Sequence, residues 1–170
     1  PALLLAQPAS PAEREHRLRV VMCSGIPADR HAELETRFGV PWREVYGTTE
    51  TGADVMVYPD MAQALRGSGS IGVALPHREL RIGDDEARSV PRGQVGELLI
   101  RGTAMMDGYF RNAQATQSAF ASGWYHTGDL ATMDAQSAVR IVGRKKDMIR
   151  RSGENIAAAE VESVLEQHPA

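Results

Sequence analysis

Glycine and proline cut the middle of this chain into short segments. Gly67, Gly69, Gly72, Pro76, Gly83, Pro91, Gly93 and Gly96 punctuate β-like runs at 71–74, 79–82 and 95–101, with one more at 139–142. Glycine admits backbone conformations that end a strand, and proline withholds the amide that a ladder needs. Short runs separated in this way read as a small antiparallel sheet or distorted barrel. Asn112 is placed to cap one interrupting helix that reaches about Phe120.

The segment before this region has a different pattern. Ser10-Pro11-Ala12-Glu13 reads as a capping box with proline at the first helical position, leading a charged run to Arg17. Residues 18–23 read as a short strand. Pro27 opens a helix with Leu34 and Phe38 at helical spacing and Gly39 placed to end it, and 40–46 returns as a strand. Strand, helix, strand at this spacing predicts a parallel α/β layer. Beyond the small sheet, residues 144–151 are strongly basic. Gly153-Glu154-Asn155 predicts a turn, and Val161, Val164 and Leu165 form the apolar stripe of a helix that stops at Pro169. The expected organisation is an α/β subdomain over 1–58, a β-barrel-like subdomain over 59–143, and the beginning of an α+β C-terminal domain over 144–170.

Composition narrows the class. The 170 residues are 42% hydrophobic and 24% charged, as in a soluble globular domain. A net charge of −3 with interspersed signs gives no ground for a nucleic-acid or anionic-membrane partner. The apolar run at 1–6 is far too short to span a bilayer or act as a signal peptide. The single cysteine, Cys23, cannot form an internal disulfide, and a cytoplasmic protein is the default expectation. Nothing indicates an oligomeric state. The chain begins with Pro1 and ends just after a predicted helix, so it is expected to be an internal piece of a longer protein.

Three motifs carry candidate chemistry. Tyr46-Gly47-Thr48-Thr49-Glu50-Thr51-Gly52 lies past a predicted parallel strand, where ligands of open α/β sheets gather. Its threonine hydroxyls can bond phosphate oxygens, and Glu50 can hold Mg²⁺. A polar turn fits this segment equally well when it is taken alone. In Trp124-Tyr125-His126-Thr127-Gly128-Asp129, an aspartate after a Thr-Gly turn suits vicinal hydroxyls such as those of a ribose, or else caps a β-turn. His126 is read as a packing or hydrogen-bonding residue, not a catalytic one. In Gly143-Arg144-Lys145-Lys146-Asp147, consecutive cations can attract a nucleotide, although a basic run alone is more often a solvated face.

Together and in this order, the motifs resemble the adenylate-forming superfamily of acyl-CoA synthetases, luciferases and peptide-synthetase adenylation domains. The resemblance extends through 20–27, 69–74, 93–102 and Asp107-Gly108-Tyr109, and spans nearly all of 15–168. It implies that Ser24, Gly25, Ile26 and Pro27 wall an adenine pocket and that Tyr46, with Gly47 and Thr48, lies against the nucleotide. Thr49 would touch the α-phosphate or the acyl carboxylate, and Glu50 would hold Mg²⁺. Asp129 would bind the ribose with Arg144 assisting, Lys146 would be a hinge, and Ser152, Gly153 and Glu154 would line the tunnel for the CoA arm. The implied substrates are a carboxylic acid, ATP and CoA; the implied reaction is formation of an acyl-adenylate followed by transfer to the CoA thiol.

The segments 146–149 and 152–156 are most similar to medium-chain and carnitine-type CoA ligases, which points to fatty acid or related acid metabolism. A carrier-protein thiol is the alternative acceptor, and a truncated nucleotide-binding or interaction module is the alternative to an enzyme. The family's phosphate loop is expected upstream of Pro1 and its adenylating lysine downstream of Ala170, so this segment alone is expected to be inactive. Gln136-Ser137-Ala138 stands where the family has a Gly-aromatic pair, which predicts a looser hairpin turn there.

Overall fold

Residues 1–151, 154–157, 161, 164 and 165 are described by the structure, a computed structural model. The chain divides into two units, Pro1–Pro76 and His77–Ala170.

The first unit opens with α1 (Ala2–Ala6) and a 3-10 turn at Pro11–Arg14. Ser10 does cap this turn, accepting from the Ala12 amide. The helix toward Arg17 does not form. Glu13 keeps its backbone bond to Ser10, as a capping box requires, and also pairs with Arg37, whose guanidinium donates to the Leu5 and Gln7 carbonyls at 3.2 and 2.8 Å.

β1 (Val21–Cys23) pairs in parallel with β2 (Trp42–Thr48), and α2 (His31–Phe38) makes the crossover. Gly39 ends α2 at φ +66°, where its amide reaches the Glu35 carbonyl at 2.9 Å. Leu34 and Trp42 meet Leu5, Ile26 and Val40 in the core beneath the sheet. β3 (Gly52–Met56) and β4 (Val73–Ala74) complete the order β1-β2-β3-β4, with α3 (Ala62–Leu65) between them. The β-like run at 71–74 thus joins this sheet, not the later one. Its glycine explains the fit: Gly72 sits at φ +98°, and a Cβ there would lie 1.9 Å from the Met56 carbonyl oxygen.

The second unit is an open antiparallel sheet of β5 (Arg78–Gly83), β6 (Gly96–Gly102), β7 (Tyr125–Met133) and β8 (Val139–Arg144), in that order. It does not close into a barrel among the described residues. α4 (Ala113–Ala119) starts at the expected cap, with the Asn112 side chain accepting from the Ala115 amide at 3.0 Å.

Leu98, Leu99 and Ile100 are all fully buried, so both faces of β6 are covered. Trp124 is held between the guanidinium groups of Arg81 and Arg101, 4.3 and 4.6 Å from its ring centre. The β7–β8 turn is tight, not loose: Asp134 accepts from the Gln136 and Ala138 amides at 2.9 and 2.8 Å, and Ser137 takes φ +66°. β9 (Met148–Arg151) and β10 (Glu154–Ala157) form a two-stranded ribbon, so Glu154 and Asn155 begin a strand where a turn was predicted. Among the described residues, no helix is long and apolar enough to cross a membrane.

Candidate functional site

The first unit contributes the end of β1 and the β2–β3 connection. A bulge between Tyr46 and Gly47 bends β2 at the start of its motif. Gly47 is obligatory there, since an added Cβ would stand 1.9 Å from the Gly52 carbonyl oxygen. The turn at 49–51 is locked by hydroxyls. Buried Thr51 donates to the buried Asp54 carboxylate, its Oγ1 lies 2.9 Å from Thr48 Oγ1, and its amide donates to Thr48 Oγ1 at 3.2 Å. A hydroxyl carries one proton. With the Thr51 proton on Asp54, the Thr48 proton must serve Thr51, so it is committed inside the turn. Thr49 is exposed at the tip, and Glu50 and Tyr46 are half-buried.

Glu44, which no motif included, organises the other wall. It is 8% exposed and accepts from the Gly25 amide at 3.2 Å and from the Ile26 amide. Ser24 donates to the Val45 carbonyl, and Gly25 takes φ +73°. The Ser24–Ile26 bend is therefore tied to β2 two residues before Tyr46. Burial pushes the Glu44 carboxyl above its ordinary range, and the two amides only partly offset it. Burial, and then the charge of Glu44, push the Cys23 thiol up as well. Glu44 was detectable in principle: in Trp42-x-Glu44-x-Tyr46 an acidic residue falls on the inward face of a strand.

The second unit presents Asp129. The expected Thr-Gly turn is instead an irregular point inside a nine-residue strand, with Gly128 at φ +71° and shifts of register on both sides of β7. Thr127 donates to the Leu98 carbonyl at 2.7 Å and accepts from the Asp129 amide at 3.0 Å. Asp129 is buried, and Arg144, its register partner on β8, reaches it from the exposed side with Nε 2.9 Å from Oδ1. The structure thus brings Asp129 and Arg144 together. Lys146 is exposed in the 3-10 turn Lys145–Asp147. Ser152 and Gly153 lie outside the described residues, as does the side chain of Glu154.

Behind Asp129 stands a second glutamate that the motifs missed. Glu97 is 5% exposed; it accepts from the Gly128 amide at 3.0 Å, and it lies 3.1 Å from His126 Nδ1 and 3.2 Å from Lys145 Nζ. Lys145 also pairs with Asp85 at 2.9 Å. Burial works to raise the Glu97 carboxyl, but the bonds from His126, Gly128 and Lys145 outweigh it and hold the group below its ordinary range. The bond to Asp85, with that to Glu97, holds the Lys145 ammonium up. His126 is a hydrogen-bonding residue, as read from its aromatic neighbours. Among the described residues, no group of three or more His, Cys, Asp or Glu side chains could hold a metal ion. A Mg²⁺ that arrives on a nucleotide's phosphates needs only one or two protein carboxylates, and half-buried Glu50 fits that smaller requirement.

With an α/β layer, an open antiparallel sheet and these turns in place, the family is defined. The chain belongs to the AMP-binding enzyme family, whose model matches residues 2–110, and its fold is part of the adenylate-forming enzyme fold. It is 37% identical over 168 residues to indoleacetate–CoA ligase of Aromatoleum aromaticum, covering 98% of this chain and 33% of that protein. It is 46% identical over 145 residues to a long-chain-fatty-acid–CoA ligase of Escherichia coli O157:H7, covering 85% of this chain and 25% of that one. The structure of o-succinylbenzoate CoA synthetase from Bacillus subtilis, in complex with its acyl-adenylate intermediate, matches with a TM-score of 0.82 at 32% identity, over 99% of this chain and 34% of that one. The chain therefore spans a third or less of the curated relatives compared here.

Proposed function

We propose that this chain is the central segment of an AMP-forming acid–thiol ligase. The reaction joins a carboxylic acid to CoA through an acyl-adenylate, in a cytoplasmic setting. The observation that carries this reading is the buried Asp129 carboxylate, held at an irregular point in the middle of β7 with Arg144 2.9 Å away. A carboxylate so placed accepts hydrogen bonds from both hydroxyls of a ribose, and the guanidinium adds fixed donors beside it. The names of the relatives support the reaction class, and the acyl-adenylate in the Bacillus subtilis synthetase supports the intermediate.

In this reading the acid's carboxylate oxygen attacks the α-phosphorus of ATP and pyrophosphate leaves. The CoA sulfur then attacks the acyl carbon and AMP leaves. Thr49, exposed at the turn, would meet the α-phosphate or the acyl carboxylate, whereas Thr48 would hold the turn through its bond to Thr51. Tyr46 and the Ser24–Pro27 bend would receive the adenine. Glu50 would hold Mg²⁺, which would supply positive charge where negative charge develops on phosphate. Lys146 would be the hinge that opens a smaller domain from 144 onward, with Ser152, Gly153 and Glu154 along the CoA arm.

Titration of this chain with AMP tests the reading. Wild type is expected to bind and D129N to lose affinity, and equal binding by the two would refute the ribose role. No CoA-dependent AMP formation is expected from this segment alone. In a full-length ligase carrying it, Lys146→Pro should impair thioester formation far more than adenylation; equal loss of both counts against the hinge. Consumption of free CoA against loading of a phosphopantetheinylated carrier identifies the acceptor.

A further inference from the structure

Glu97 connects three points that lie on two separate motifs. Its Oε1 accepts from the amide of Gly128, the residue before Asp129. Its Oε2 meets His126 at the start of the same strand and Lys145, the residue after Arg144. One buried side chain thus touches the immediate neighbours of both members of the Asp129–Arg144 pair. The backbone around Asp129 needs such support. Gly128 is in the left-handed region and open space lies where a Cβ would stand, so no side-chain contact at that position fixes its conformation. The register of β7 slips against both of its neighbours.

We propose that Glu97 is the positioning residue of the Asp129–Arg144 pair. Through Gly128 it sets where the Asp129 carboxylate stands, and through Lys145 it sets where the chain leaves β8 after Arg144, so it governs affinity for the vicinal diol of a nucleotide. The inference rests on the ribose reading of Asp129. It carries a second consequence that needs no ligand. An ionised carboxylate only accepts hydrogen bonds, so neutral His126 must keep its proton on Nδ1. Its Nε2 is then a bare acceptor, which matches a buried atom with no hydrogen-bond partner among the described residues.

The test is AMP titration of the chain as wild type, D129N, E97Q, K145M and E97Q/K145M, with the His126 tautomer read by long-range ¹H–¹⁵N NMR. E97Q is expected to bind AMP roughly tenfold more weakly, the factor carried by loss of one charge-assisted bond. K145M should lose less, and the double variant should bind no worse than E97Q, because both act through one carboxylate. His126 should move its proton to Nε2 in E97Q, where the new amide can donate to Nδ1. A buried ion pair with a merely structural role would change the unfolding midpoint and leave AMP affinity where it was. E97Q binding AMP as wild type does while D129N is weakened overturns the proposal and spares the ribose reading. D129N binding as wild type does refutes that reading and the affinity role of Glu97 with it. Should E97Q fail to fold, E97D keeps the charge but is one methylene shorter, and unchanged AMP affinity in E97D likewise overturns the proposal.

Discussion

Glu44 and Glu97 solve the same problem with opposite electrostatic results. Each is a buried glutamate on a central strand, each accepts backbone amides from a bend that carries motif residues, and each is less than a tenth exposed. Burial raises the Glu44 carboxyl because only amide dipoles, from Ile26 and Gly25, offset it. Burial acts on Glu97 too, but an imidazole, an amide and an ammonium together reverse its effect. Depth alone does not set the charge state of a buried acid; its partners do. The lesson extends to the bends themselves. Both glutamate-supported bends carry a glycine with open Cβ space, Gly25 and Gly128, whereas the β2 bulge is held by tight backbone contact at Gly47.

The two tryptophans, Trp42 and Trp124, fall one in each unit, so W124F and W42F each leave a fluorescence reporter for one unit. The largest effect should come from the glycines. Gly47→Ala forces a Cβ into the Gly52 carbonyl and should cost about 3 kcal/mol or more, at the upper end of overpacking, in urea unfolding read at Trp42. Gly128→Ala meets no atom within 4 Å and should cost only the left-handed backbone penalty, about 1–2 kcal/mol, read at Trp124. Equal losses at both glycines would break the contrast between packed and bonded bends.

Next come the glutamates. E97Q should destabilise its unit by about 1–3 kcal/mol, since partners of a charged acceptor are left poorly satisfied. E44Q should cost less, about 1 kcal/mol: no charge need be buried, but each Glu44 oxygen serves its own amide, so one of them then meets the Gln NH2. A larger loss for E44Q would reverse the comparison.

The pH response should differ in sign. Glu97, with its folded pKa below the ordinary 4.5, contributes stability that is present above that value and is lost as pH falls through the depressed one. Glu44, with its folded pKa above 4.5, contributes stability that is full below that value and is lost as pH rises through the raised one. The difference between wild type and E97Q should therefore shrink with acid in the Trp124 signal. In the Trp42 signal, wild type should lose ground to E44Q as pH rises. The smallest effect is at Cys23: removing the Glu44 charge lowers the thiol's pKa, so E44Q should alkylate faster than wild type by a small factor.

Much of the scaffold was legible because its signals are local. Gly39 ends α2, Asn112 starts α4 and Ser10 caps its turn through contacts within a few residues along the chain. The parallel pairing of β1 with β2 followed from strand–helix–strand spacing. β3 was missed because Gly52-Ala53-Asp54 looks like a loop; it is a strand because Thr51 and Asp54 are buried together. The extent of β7 was missed because its Thr-Gly-Asp centre has the composition of a turn, while β6 and β8 pair with it on either side.

Caps, crossover, motif order and family membership are all encoded by residues close together along the chain. Those depend on backbone propensities, periodicity and residues adjacent in the chain. Only the tertiary structure decided which sheet took Val73–Ala74, that the Thr48 proton stays inside its turn, and that Glu44 and Glu97 stand behind the motifs with opposite shifts. Glu44 meets Ile26 across 18 positions and Glu97 meets Lys145 across 48, and no local pattern encodes a hydrogen bond that folding alone brings within reach.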